Sequence, residues 1–381
     1  MVIYVIDKGD TIYRLSREYD VPMGKIIEDN QVPDVNRLVI GSSLVIVNEE
    51  GVPDEYKMGS VLVNGYCYPD VDTEVLNTSL PSLTYLGIFS YQISPDGGLI
   101  QIDDERVIQA ALDQHTESRM VITNIGEEGQ FSNDLARTIL DSEELQGILL
   151  ENCIQIMENK DYTGLDVDFE YLYPEDREKY NRFLERARNR LNPLGYTLST
   201  AIAPKLSGEQ QGLLYEAHDY SAHGRYADEV IIMTYEWGFL YGPPMAVAPL
   251  DRVRKVIEYA VSEIPSEKIL MGIPNYGYDW TLPYEPGSAA RIISSPQAIE
   301  IAMEVGAQIQ FDETAASPFF TYYDEEKRQH IVWFEDARSI YEKLRLVEAY
   351  NLGGVSYWTV NNKFNQNWVV LQGLYDVKKN M

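Results

Sequence analysis

From residue 60 onward the chain repeats one pattern eight times, and that repetition constrains its fold more than any single residue does. Apolar, β-rich runs lie near 60–67, 84–91, 119–125, 163–170, 196–203, 228–235, 268–276 and 353–360. Amphipathic stretches such as 175–192 and 250–263 fall between most of them. Parallel strands joined by helices require right-handed crossovers, so these units predict an α/β fold, a (β/α)8 or TIM barrel. A doubly wound open sheet is the alternative, but no Gly-rich phosphate loop follows the first run. Between the seventh and eighth runs lie roughly 75 residues, too many for one crossover helix. The stretch 282–335 holds a helix candidate, Pro296 to Val305, and two strand candidates, Phe319–Tyr323 and His330–Phe334, with Asp324-Glu325-Glu326-Lys327 as the turn. A small α+β insertion is expected there, placed to wall a cleft above the barrel mouth.

The first 48 residues read differently. Residues 2 to 6 are β-prone, Lys8-Gly9-Asp10 supplies a turn, and Thr11 can cap a helix with Ile12, Leu15 and Tyr19 on one face. Val21-Pro22 breaks that helix, a second runs from Met23 to Asn30, and Leu44-Val45-Ile46-Val47 closes the unit as a strand. This βααβ unit (1–48), a polar linker (49–58, beginning Glu49-Glu50-Gly51-Val52-Pro53) and the barrel (59–381) are the expected domains. The unit resembles a LysM domain through Tyr4, Val5, Gly9-Asp10-Thr11, Leu15, Tyr19, Val21, Ile26, Asn30, Leu38, Gly41, Leu44 and Ile46. The resemblance implies binding to N-acetylglucosamine chains, as in peptidoglycan or chitin, in a groove between Gly9–Ile12 and Gln31–Pro33. A structural or docking role for the same unit stays open.

Charge narrows the partners. With 31 Lys+Arg against 60 Asp+Glu the net charge is −29, so nucleic acid and anionic membranes would be repelled. No apolar run reaches the roughly 18 to 20 residues of a membrane span. Cys67 and Cys153 sit in apolar runs and read as buried small hydrophobes. His115, His218, His223 and His330 show no metal-ligand spacing, so no metal or other cofactor is expected. The start, Met1-Val2-Ile3-Tyr4-Val5-Ile6-Asp7, has neither a basic nor an apolar signal region, so cytoplasmic synthesis without a secretory signal is expected.

The fourth run, Gly164-Leu165-Asp166-Val167-Asp168-Phe169-Glu170, carries the chemistry. Alternation turns Asp166, Asp168 and Glu170 into the barrel interior and Leu165, Val167 and Phe169 toward the helices. Like charges roughly 6 to 7 Å apart repel, so at least one carboxyl pKa should rise. Glu170 is the last acid, at the C-terminal mouth where barrel enzymes work, which makes it the natural proton donor. On spacing alone the trio could instead hold Mg²⁺ or Ca²⁺.

Over nearly all of 60–381 the chain resembles glycoside hydrolase family 18. That family's strand-four motif is D-x-x-D-x-D-x-E, and Thr163 to Glu170 match its last three acids, with Thr163 in place of the first Asp. Ser199-Thr200-Ala201-Ile202-Ala203-Pro204, Met233-Thr234-Tyr235, Gly272-Ile273-Pro274-Asn275-Tyr276-Gly277 and Gly353-Gly354-Val355-Ser356-Tyr357-Trp358 match strands five to eight in order. Glu236 stands where the family usually has Asp. The resemblance implies a retaining, substrate-assisted glycosidase. In it Glu170 is general acid and base, Asp168 orients the substrate's 2-acetamido group, and Asp166 holds or releases Asp168. Tyr235 would bond the acetamido oxygen and Trp358 would floor the sugar site. Glu236 and Tyr276 join the substrate-binding candidates. For the bare residues, core packing of Tyr235 and Trp358 stays open, as it does for Trp237, Trp280 and Tyr276. Phe169–Arg177 and Met233–Gly238 look like the spore cortex-lytic N-acetylglucosaminidases, which implies cleavage of cortex peptidoglycan and deposition in the spore. A chitinase and a non-catalytic glycan-binding barrel are the competing readings. A separate targeting module at 1–50 would be dispensable for cleaving small soluble fragments.

Overall fold

The structure is a computed structural model that describes residues 1–48 and 50–379. Glu49, the first residue of the expected linker, lies outside the described residues.

Eight parallel strands close into the expected barrel: Ser60–Cys67, Tyr85–Ile93, Glu117–Thr123, Gly164–Asp168, Thr197–Ile202, Glu229–Ile232, Ile269–Pro274 and Gly354–Trp358. Strand one closes the ring by pairing with both strand eight (Ser356 opposite Asn64) and strand two (Asn64 opposite Tyr85). Outward residues such as Leu165, Val167, Leu198 and Ile232 are fully buried under helices, which is why these strands read as unbroken apolar runs. Several helices begin where the sequence supplies side-chain caps: Asp72 accepts from the amides of Glu74 and Val75, Ser132 from Leu135 and Ser142 from Leu145. The strand-four helix spans Arg177–Leu191 and the strand-six helix Leu250–Glu263. No described helix is long and apolar enough to cross a membrane.

The insertion begins earlier and is larger than the sequence suggests. A five-stranded antiparallel sheet runs through Gly277–Leu282, Arg291–Ile293, Gln310–Asp312, Ser317–Tyr323 and Gln329–Trp333. It backs onto the helix Ser295–Val305, whose capping box pairs Ser294 with Gln297. Two of its strands have three residues each, too short to show a period-two pattern.

The N-terminal unit has strands Val2–Val5 and Ser43–Ile46 paired antiparallel and helices Ile12–Tyr19 and Met23–Asn30. It is not held by a linker alone. Val45 is fully buried within the barrel's own core cluster, and Val39 belongs to the core of the insertion with Ile293, Ala302 and Phe320. Gln366 donates to Ser43 O (2.7 Å) and Asn30 Oδ1 (3.0 Å), and Arg338 donates to Gly41 O (3.1 Å). Ile309 N donates to Ile40 O at 3.0 Å. At Gly41 (φ +83°) a Cβ would stand 1.9 Å from Ile309 O, so only glycine permits this approach. The Gln31 edge of the expected groove touches the barrel too: its amide donates to Lys363 O (3.3 Å) and accepts from Asn365 N (2.7 Å).

Candidate active site

Strand four delivers Asp166 and Asp168 to the barrel axis, both buried. Glu170 comes two residues after the strand ends, so it stands on the rim and not in the ladder. The three acids have different surroundings. Asp166 accepts from Tyr66 Oη (2.5 Å) and Ser199 Oγ (2.6 Å). Asp168 Oδ1 is buried and has no hydrogen-bond partner among the described residues. No protein hydrogen bond reaches the Glu170 carboxylate among the described residues.

Protonation follows these surroundings. Burial raises Asp166, while the hydroxyls of Ser199 and Tyr66 and the Arg119 guanidinium pull it back. Asp168 is raised well above the usual range by burial, then by the charges of Glu170 and Asp166. Glu170 is pushed up to about 7 by desolvation and by the Glu236 carboxylate.

A cleft of about 680 Å³ opens above these acids. Trp358 lines it at the end of strand eight, held edge-on by Phe89 (centroids 4.8 Å), Tyr66 (5.5 Å) and Tyr68 (6.0 Å). Tyr235 lies past the end of strand six and also lines the cleft. Glu236, at φ +66°, accepts from the hydroxyls of Tyr276 and Tyr278. Tyr276 and Trp237 border the cleft, whereas Trp280 is buried and donates Nε1–H to Gly242 O, a packing position. Thr163 lies at the opposite end of strand four, donating toward Ser118 O (3.2 Å). Its departure from the family pattern is therefore remote from the cleft.

All seven site residues from the sequence gather here: Asp166, Asp168, Glu170, Tyr235, Glu236, Tyr276 and Trp358. Sequence reasoning missed Tyr66 and Ser199, although both occupy inward positions of their strands. It also missed the Phe131–Tyr171 pair on the cleft wall (centroids 6.3 Å), which sits on loops with no periodicity to mark it. Among the described residues no three His, Cys, Asp or Glu side chains converge to hold a metal ion.

Both parts of the chain resemble known proteins. Residues 66–362 match the glycosyl hydrolases family 18 model, and residues 4–47 match the LysM domain model. A cortical fragment-lytic enzyme of Bacillus subtilis (strain 168) is 39% identical, with 100% of this chain and 99% of the relative covered. The crystal structure of the Bacillus megaterium QM B1551 spore cortex-lytic enzyme SleL superposes with a TM-score of 0.94 at 36% identity, covering 100% and 99% of the two chains. A chitinase from Chromobacterium violaceum is more distant: TM-score 0.76, 25% identity, 82% of this chain and 98% of that one.

Proposed function

The chain belongs to glycosyl hydrolases family 18, and from that premise we propose that it is a retaining, substrate-assisted N-acetylglucosaminidase acting on spore-cortex peptidoglycan. The chain is a glycosidase, and its barrel and LysM domain both point to glycans containing N-acetylglucosamine. The observation that carries the finer reading is the buried Asp168 Oδ1, an acceptor that no donor among the described residues satisfies. A 2-acetamido N–H on the bound sugar would supply the missing bond.

On this reading Glu170, protonated up to about pH 7, gives its proton to the glycosidic oxygen as the C1–O bond breaks. The acetamido oxygen closes on C1 from the other face, and the positive charge passes to the acetamido group. Asp168 accepts from its N–H and stabilises that charge. Water then opens the ring formed at C1 while Glu170 takes its proton back, and configuration is retained. Trp358 stacks beneath the sugar and Tyr235 donates to the acetamido oxygen. Asp166, fixed by Tyr66 and Ser199, sits below as the acid that Asp168 answers to. The relatives' cortex-lytic names support a place of action in the spore, and the net charge of −29 opposes nucleic-acid or anionic-membrane partners.

The test is side-by-side digestion of purified cortex fragments and colloidal chitin by the wild type and Glu170→Gln, with products identified by mass spectrometry. The wild type should release fragments with reducing N-acetylglucosamine ends from cortex. The variant should bind but turn over less than about a hundredth as fast. Preferential digestion of chitin would reassign the glycan; residual activity above that level would remove Glu170 from its role.

A further inference from the structure

Among the described residues no hydrogen bond reaches the Glu170 carboxylate, so something other than its own side chain must hold it in place. The main chain around it is held from two sides by buried side chains. Strands three and four stop pairing at Thr123 opposite Asp168. Immediately beyond, the completely buried Asn124 turns its amide onto Glu170. Its Oδ1 accepts from Glu170 N (2.9 Å), and its Nδ2 donates to Glu170 O (2.9 Å) and Ser132 O (3.0 Å). One side chain thus does for Glu170 what a further rung of the ladder would do.

On the other side His218, 1% exposed, bridges strands four and five. Its Nδ1 accepts from Ala203 N (2.9 Å), which assigns the proton to Nε2, and that N–H donates to Phe169 O (2.9 Å). Burial lowers its pKa to about 4, so the ring is neutral and can accept at Nδ1 near neutral pH. Lys205 Nζ donates to the His218 carbonyl at 3.1 Å, fixing the imidazole's own backbone. The Phe169 ring is meanwhile stacked between Tyr180 and Phe183.

We propose that Asn124 and His218 are positioning residues that aim the Glu170 carboxyl group by clamping the main chain from Phe169 O through Glu170 O. The proposal rests on the reading of Glu170 as the proton donor. Neither residue reaches the substrate; both act through the orientation of Glu170.

The test measures kcat, KM and the pH–rate profile of the full chain as Asn124→Ala and His218→Gln, on soluble cortex fragments, with folding checked by circular dichroism. Each folded variant should lose 10- to 100-fold in kcat with KM within threefold. The basic limb of kcat/KM should also move to lower pH, because a loosened Glu170 meets more water and its pKa relaxes. A merely structural role would lower the melting temperature without moving that limb. Wild-type kcat and an unmoved limb in a folded variant overturn the proposal. Asn124→Ser, which keeps one polar atom at the same depth, replaces Asn124→Ala if the latter does not fold. Glu170→Gln separates the two readings: if it stays active, the acid assignment fails; if it is inactive while the clamp variants behave as wild type, only the clamp fails.

Discussion

Removal of residues 1–50 should destabilise the barrel, and not only detach a targeting module. The loss follows from what the N-terminal unit covers. Val45 is fully buried and Val39 is 7% exposed, each in a core cluster of the catalytic part of the chain. Burying a valine contributes about 1.5–3 kcal/mol, so exposing the surfaces these two cover costs about 3–6 kcal/mol. The hydrogen bonds of Gln366, Arg338 and Ile309 add little, since water replaces their partners once the unit is gone. Native proteins have about 5–15 kcal/mol in total, so the fraction lost is large. At about 2 °C per kcal/mol for a chain of this size, the melting temperature should fall by roughly 10 °C. Calorimetry of residues 51–381 beside the full chain measures it. The shortened protein should also lose activity on soluble fragments when assayed near its lowered melting temperature. The dispensable module read from the sequence predicts the opposite. A midpoint within about 2 °C of the full chain, with soluble fragments cleaved at the full rate, would refute the reasoning.

Glu236→Gln removes the carboxylate that helps raise Glu170, so the basic limb of the pH–rate profile should move below about 7; a limb that stays in place removes that electrostatic role. Glu170 keeps its proton up to about pH 7 in the fold against an ordinary 4.5, so wild-type stability falls as pH rises through that window. Melting temperatures should therefore show Glu170→Gln gaining on the wild type between pH 4.5 and 7 and holding the gain above it; a constant difference would count against the raised pKa. Gly272→Ala would place a Cβ 2.5 Å from Ile232 O and 2.8 Å from the Tyr235 ring. Displacing Tyr235 in this way should cost about 10- to 100-fold in kcat/KM, read from steady-state kinetics.

The barrel was legible because its strands are buried on both faces and announce themselves as apolar runs; Arg177–Leu191 and Leu250–Glu263 fall within a few residues of the helices expected. The clustering of the candidate site residues was legible because strand alternation dictates which side chains face inward, and ordered motifs mark the strand ends. Less legible was everything held by side-chain to main-chain bonds across long separations. Asn124 and His218 carry no local pattern, since their partners are backbone atoms of Glu170, Phe169 and Ala203. Gln31 reads as a groove edge and Gln366 has no local signal; the fold turns both to contacts between residues more than 300 positions apart. A turn rich in Gly and Pro after residue 50 reads as a flexible tether for the same reason: nothing local shows that Val45 and Val39 are spent on a neighbouring core.

The ordering of the three acids is the point at which alternation alone falls short. Alternation places them on one face but treats them alike, and it is the floor of the barrel that makes them different. Below Asp166 the interior is polar: Arg119 pairs with Glu229 at 2.8 Å and lies over the Tyr85 ring at 3.5 Å, while Asn64 donates to Ser356 at 2.9 Å. Tyr66 and Ser199 then satisfy both Asp166 oxygens. Among the described residues, protein donors to these acids end at that level. Asp168, one step higher, keeps an unpartnered oxygen, and the carboxylate of Glu170, higher still, has no donor among the described residues, only its main chain being clamped. Donors to the acids thus run out between floor and mouth, and both upper acids hold a proton more readily than an ordinary carboxyl group. A carboxylic acid that stays protonated near neutral pH is placed where a leaving oxygen would need it, and the acceptor left unsatisfied beneath it is the one an acetamido N–H would fill. Selection for N-acetylated sugars and acid catalysis at neutral pH then have one physical origin, the point along strand four where the protein stops supplying donors.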